Sequence, residues 1–246
     1  LAGGYLIKDP AKDPANLPPL VPLVIQDRMF DTNGELFFPA DTANNFLWTP
    51  NPEHPYWVPE FVGDVIVVNG KAWPYLAVER KRYTFLLLNG SNARTYEMFL
   101  IDPSGVAVPP RMWVIGTDDG YLDKPVQVKK LTMMSGERYQ VIVDFSAVPA
   151  GTKLVLKNTA KTPFPNGAAS TGATTAQIMQ FRVTGGAVAD TTFNPAALGA
   201  TLRGGAGQGP AIKRLVNTAT GTLTTGVTAQ KTRQLTLNEV MGMPQL

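Results

Sequence analysis

Side chains able to do chemistry are scarce in these 246 residues. The chain has one histidine and no cysteine. His54 sits in Asn51-Pro52-Glu53-His54-Pro55. With no second ligand near it in sequence, it reads as an exposed or packing side chain rather than a metal ligand. No histidine is placed to activate a serine or threonine hydroxyl, so no catalytic triad is assigned and no catalytic residue is expected. Asp118, Asp119 and Asp123 bring carboxylates close together. No glutamate closes a twelve-residue calcium loop, and Asp118-Asp119-Gly120 fits a turn in which Asp bonds its own backbone. Glu79 and Glu137 fall at strand entrances, where pairing with a neighbouring Arg or Lys is expected and contributes little. Arg80-Lys81-Arg82 is the densest basic cluster. It reads as a solvated strand entrance, because a nucleic-acid face needs a longer basic stripe with interleaved aromatics. Phosphate loops, dinucleotide fingerprints and Gly-x-Ser-x-Gly elbows are absent.

The elements that must carry these residues are strands. Pro (21) and Gly (23) interrupt the chain too often for long helices, and turns at short intervals between apolar runs are the pattern of a β-sandwich or barrel. Val65–Val68 is an apolar β-branched run expected to be covered on both faces. Asn69-Gly70 after it tolerates the positive φ of a tight turn. Pro59–Tyr96 as a whole reads as three short strands. Further strands are expected at 1–8, 23–30, 83–88, 112–117, 153–158 and 177–184, with a turn at Asp31–Gly34. Val126–Met134 and Arg138–Phe145 read as a hairpin across Ser135-Gly136. Within it Tyr139, Val141, Val143 and Phe145 alternate with Arg138, Gln140, Ile142 and Asp144, a half-buried pattern. Residues 38–59 form a long Pro/Asn-rich loop. Gly185–Gly209 is rich in Gly, Ala and Thr and reads as a linker over a surface, in part disordered. Arg233–Met241 is a last strand without partners after it, and a lone strand is not stable alone. That strand, with an opening at Leu1 rather than Met, leads to the expectation of an internal piece of a longer chain. The apolar runs are too short to span a membrane. Net charge is +3, and neither membrane nor nucleic acid is an expected partner.

The segment PEFVGDVIVVNGKAWPYLAVERKRYTFLLLNGSNARTY, 59–96, resembles the middle domain of three-domain multicopper oxidases of the bacterial laccase, spore-coat oxidase and bilirubin oxidase group. Other pieces resemble the same family in the same order. These are LAGGYLIKD (1–9), LVIQDRMFDTN (23–33), MWVIGTDDGYL (112–122), LTMMSGERYQVIVDF (131–145), QIMQFRV (177–183) and RQLTLNEVMG (233–242). The resemblance implies an all-β, cupredoxin-like Greek-key sandwich with flanking strands from neighbouring domains. Residues 1–19 would end the first domain and its linker, 20–184 form the central domain, 185–231 link onward, and 232–246 open the third domain.

In this family, copper held by His-x-His and His-Cys-His motifs of the outer domains oxidises phenolic or similar donors and reduces O2 to water. Copper is therefore implied for a full-length parent, whereas the missing donors leave no metal site in this chain. The resemblance further implies that the middle domain holds the outer domains in register and walls the donor pocket. The pocket residues it carries over are Thr95, in Asn-x-Arg-Thr-Tyr, and Lys161, Thr162 and Pro163 at the start of a loop running to Thr175. This loop, KTPFPNGAASTGATT, departs from the family pattern by its Pro-Phe-Pro insertion. Expected partners are the first and third domains, a phenolic donor and O2, and family habit points to an extracytoplasmic location. An alternative stays open: a copper-free structural or interaction member of the superfamily. A nicked chain whose flanks are separate polypeptides is a third reading.

Overall fold

The computed structural model describes residues 3–37, 61–104 and 111–237. The chain forms two compact units, Leu1–Ala211 and Ile212–Leu246. The first is all-β among its described residues. In chain order its strands are β1 (Leu20–Arg28), β2 (Val65–Val68), β3 (Lys71–Ala72), β4 (Tyr75–Arg80), β5 (Arg82–Asn89), β6 (Tyr96–Ile101), β7 (Arg111–Thr117), β8 (Gly120–Val128), β9 (Leu131–Met133), β10 (Arg138–Asp144), β11 (Lys153–Asn158) and β12 (Gln177–Ala187). They form a seven-stranded sheet ordered β3-β2-β1-β5-β10-β7-β8 and a five-stranded sheet ordered β4-β12-β11-β6-β9. The β1–β5 and β12–β4 pairs are parallel and the other neighbours antiparallel.

Alternation dictates the core. Leu23 and Ile25 of β1, Phe85 and Leu87 of β5, and Val141 and Val143 of β10 point inward from one sheet. Met98, Leu100, Leu154, Leu156, Phe181 and Val183 meet them from the other. Phe181 bridges the layers, with ring centroids 5.2 Å from Phe85 and 5.4 Å from Phe145. The tilted geometry of both pairs avoids a face-to-face stack of like quadrupoles.

The segment 59–96 holds four strands and the start of a fifth rather than three. Asn69 and Gly70, at φ 49° and 82°, close the β2–β3 hairpin. The hairpin expected across Ser135-Gly136 does not form. Instead β8 folds back on β7, β9 crosses to pair with β6, and β10 lies between β5 and β7. Asp118-Asp119-Gly120 is the real hairpin turn, with Gly120 at φ 110°. Asp118 uses its carboxylate to accept the Arg138 N–H at 2.7 Å, across the strands rather than within its own turn. Residues 3–8 form no strand, nor do 233–237; 238–241 of the expected last strand lie outside the described residues, as do the 38–60 loop and His54. In the second unit, β13 (Val216–Asn217) and β14 (Thr222–Leu223) form a short hairpin.

The outer face of the seven-stranded sheet is covered at β7 and β10. Ile115 of β7 and Ile142 of β10 point away from the main core, yet both are fully buried beneath Leu202, with Leu17 and Phe193 beside them. The strap that brings Leu202 there is fixed by Phe193 N–H donating to Asn16 O at 2.7 Å and Leu202 N–H donating to Asp123 O at 2.9 Å. Its entry is latched by Asp190, which accepts the Arg82 N–H at 2.8 Å and lies 3.0 Å from the Arg82 Nε. Arg82 is therefore buried at this latch, not solvated. Arg80 instead reaches Ser146 O, and Lys81 pairs with Glu79. Glu137 has no ion pair among the described residues; it accepts the Met134 N–H.

Two outcomes test the strap. Leu202→Ala is expected to lower unfolding free energy by about 2–5 kcal/mol, while Leu198→Ala, fully exposed, leaves it within about 0.5 kcal/mol. Urea titration of both variants reads the contrast. Burial opposes the charge of Asp190, but hydrogen bonds from the Thr192 hydroxyl, the Arg82 and Thr192 N–H groups and the Arg82 side chain outweigh it. Its carboxyl is held well below the ordinary carboxylate range. A depressed folded pKa stabilises fully above the unfolded value near 3.8 and fades as pH falls below it. Asp190→Asn is expected to be less stable at neutral pH and to lose less stability than the parent between about pH 4 and 2. An acid-unfolding slope equal to the parent's would remove Asp190 from this role.

Candidate functional site

Strand β1 places a carboxylate where its alternation calls for an apolar side chain. Leu23, Ile25 and Asp27 all face inward, and Asp27 is completely buried. A buried charge of this kind persists only with a partner and hydrogen bonds. The partner is Arg94, 5% exposed, whose Nε donates to Asp27 Oδ2 at 2.9 Å. The same oxygen accepts the Gly63 N–H at 2.7 Å. Asp27 Oδ1 has no hydrogen-bond partner among the described residues.

Arg94 spends its remaining donors on two other segments. One terminal nitrogen donates to Gly63 O at 2.6 Å and the other to the Thr162 hydroxyl at 3.0 Å. Gly63 is the only residue type that fits its position: a Cβ there would sit 2.5 Å from the Arg28 backbone. The loop bearing Arg94 is organised from β5. Asn89, fully buried, donates to Arg94 O at 2.8 Å and Met133 O at 3.1 Å and accepts the Ser91 N–H at 3.0 Å. The Ser91 hydroxyl meets the Tyr96 phenol at 3.0 Å and accepts the Asp27 N–H at 3.2 Å. Burial, and then the Asp27 charge, push the Tyr96 phenol above its ordinary value, so it stays protonated.

The four residues expected at a pocket fall on two sides of this hub. Thr95 follows Arg94 directly and is buried, 6% exposed. Thr162 is tied to Arg94 and bridges to Ala168. Lys161 and Pro163 flank it and are exposed. Asn158 holds the base of the same loop, donating to Thr175 O at 3.0 Å and Ser170 Oγ at 3.2 Å. The structure thus joins Thr95 and Thr162 through Arg94, a residue the sequence reading passed over. Its signal was the inward Asp27 at the end of an alternating strand, which demands a buried cation.

Metal chemistry was tested on the donor set. Copper sites of the laccase kind draw on thiolate and several imidazoles. One histidine and no cysteine do not supply them. Among the described residues no group of three or more His, Cys, Asp or Glu side chains is placed to hold a metal ion. The residues present do not fit a copper centre.

No protein-family model matches the chain. The laccase of Bacillus stratosphericus is 42% identical over 187 residues, covering 75% of this chain and 34% of that protein. The laccase of Bacillus subtilis (strain 168) is 40% identical over 187 residues, with the same two coverages of 75% and 34%. The bilirubin oxidase of Albifimbria verrucaria is 32% identical over 162 residues, covering 64% of this chain and 26% of that protein. Among solved structures, the McoA multicopper oxidase of the hyperthermophile Aquifex aeolicus (2F4 variant) matches at TM-score 0.55 and 31% identity, over 75% of this chain and 35% of that one. The shared fold is the cupredoxin-like sandwich. The chain spans about a third of the length of the curated laccases it matches.

Breaking the hub from one side leaves a buried charge uncompensated. Arg94→Met alone is expected to cost about 3–5 kcal/mol of stability. Combined with Asp27→Leu, the loss should be less than the sum of the two single variants. A double-mutant cycle by denaturant unfolding measures this, and strict additivity would mean the two side chains are not coupled.

Proposed function

The chain belongs to the multicopper oxidase family, and we propose that it forms the central, copper-free part of a laccase-like oxidase. In this reading residues 20–184 are the middle cupredoxin-like domain, with 1–19 and 232–246 belonging to its neighbours and 185–231 linking onward. The parent oxidises phenolic or similar donors and reduces O2 to water. The copper stays with the first and third domains. This chain holds those domains in register and walls the donor pocket with Thr95, Lys161, Thr162 and Pro163.

The observation that carries the reading is the match to laccases over three quarters of the chain, but about a third of their length, by a sequence without copper donors. The Arg94 hub adds support, because it ties Thr95 and the Thr162 loop to one rigid point. Positioning of that kind is what a pocket wall needs.

Elemental analysis of the purified chain is the first test. Less than one copper per chain, with no O2 uptake on a phenolic donor, is expected. Stoichiometric copper in the chain alone would overturn the assignment. In the longer oxidase carrying this chain, Thr95→Ala is expected to raise KM for phenolic donors by about threefold or more while leaving O2 reduction intact. An unchanged KM across several phenols would remove Thr95 from the wall. A longer protein that proves copper-free would instead make the chain part of a structural or interaction protein.

A further inference from the structure

The five-stranded sheet carries two cations that have no carboxylate partner among the described residues. On its outer face Lys153 of β11 stands directly opposite Arg182 of β12. Like charges at opposed positions repel across a sheet. Neither residue has an ion pair with a carboxylate among the described residues. Arg182 is nevertheless held in place. Its guanidinium carbon lies 3.5 Å from the centroid of the Tyr75 ring, and its Nε donates to Gln180 Oε1 at 2.8 Å. Stacking and one hydrogen bond fix the plane of the group. Its two terminal nitrogens have no hydrogen bond to any other described residue and form the open end of the fork.

That fork borders a cleft of about 310 Å³. The cleft lies between the β4 entrance and the loop before β12, with Trp73, Tyr75, Gln177, Met179 and Gln180 in its wall. Trp73 is 39% exposed, and its indole N–H is anchored on Thr174 O at 3.2 Å. Its ring is therefore presented as a surface rather than packed away. Gln180 has engaged its carbonyl with Arg182 and keeps its amide hydrogens to donate. Gln177 donates to Ala173 O at 3.3 Å and keeps its carbonyl to accept. A flat apolar ring surface beside an oriented guanidinium and an amide donor is the complement of a ring that bears a carboxylate. The volume exceeds what one bare ring fills and leaves room for its substituents.

We propose that this cleft binds a six-membered ring carrying a carboxylate, the ring against Trp73 and the carboxylate on the Arg182 fork. Aromatic acids and uronic acids share this chemistry. The cleft is a separate proposal from the copper-free oxidase role, and neither depends on the other.

The test is titration of the full chain with benzoate, galacturonate, benzyl alcohol and galactose, followed by calorimetry or by NMR shifts. At least one acid is expected to bind with a Kd at or below about 1 mM, and its neutral counterpart about tenfold or more weaker. Benzoate binding marks the aromatic source and galacturonate the uronic source. Arg182→Gln is expected to weaken the acid by about tenfold, and Arg182→Lys, which keeps the charge but not the fork, by less. A thermal unfolding midpoint like the parent's shows that each variant folds. If Arg182→Gln does not fold, Arg182→Lys and the acid-to-neutral comparison decide. Binding of neither acid, equal binding of the neutral analogues, or full retention in folded Arg182→Gln would each overturn the site.

Discussion

Asp27 and Arg94 are withdrawn from water together, and the non-strand segments around them are tied to one or the other. Strand pairing alone fixes β1 and β5 side by side. It does not fix where residues 61–63, the loop after β5 or the loop at Thr162 come to rest. The Arg94 guanidinium does, because its donors reach Asp27, Gly63 and Thr162 at once. In the dry interior those bonds are strong, and an unpaired charge there is costly. Each segment is held because leaving would strand a charge. The arrangement is not optimised for stability: Asp27 Oδ1 is buried without a hydrogen-bond partner among the described residues. A fully apolar replacement of matching shape would satisfy more atoms. What the pair supplies is a single geometry for three segments that the sheets leave loose.

A second buried cation works in the same way on the outer face of the same sheet. Arg82 begins β5, and its backbone and side chain both meet Asp190 at the start of the strap. The strap then lays Leu202 over Ile115 and Ile142. Strand β5 thus carries a polar latch near each end, Arg82 outward to the strap and Asn89 inward to the Arg94 loop. The outer face of the seven-stranded sheet is covered at β7 and β10 as a result. This is why β10 departs from strict alternation: Ile142 is as buried as its inward neighbours Val141 and Val143.

That departure also marks what the sequence could show. Val65–Val68 was readable as a strand covered on both faces, and Asn69-Gly70 as its turn, because β-branched runs and positive-φ residues act locally. Ile142 among Gln140 and Asp144 was the visible sign of a covered outer face, but its cover, Leu202, lies sixty residues on in a Gly- and Ala-rich stretch with few apolar side chains. The misread hairpin at 126–145 has a similar cause. Ser135-Gly136 has turn chemistry, and Gly136 does take φ 83°, yet a turn signal does not say which sheet the next strand joins. That choice is made by Leu131 and Met133, which bury against the core from β6's side. The resemblance gave Thr95 and Thr162, but the residue that connects them was legible only as an unexplained inward aspartate.

The hub also divides labour within the proposed pocket wall. Thr162 accepts the Arg94 bond, so its hydroxyl oxygen serves as an anchor. Lys161 and Pro163 on either side are exposed and have no such tie to Arg94. Of these three residues at the start of the loop, one is tied down while two are exposed. Thr95 is likewise constrained, lying between buried Arg94 and buried Tyr96. A change at Thr162 would therefore act through loop position, whereas Lys161 and Pro163 would act by direct contact only if they line the proposed pocket wall. The rigidity that separates these effects comes from a charge pair in the middle of a β-sandwich, not from any residue that could itself carry out chemistry.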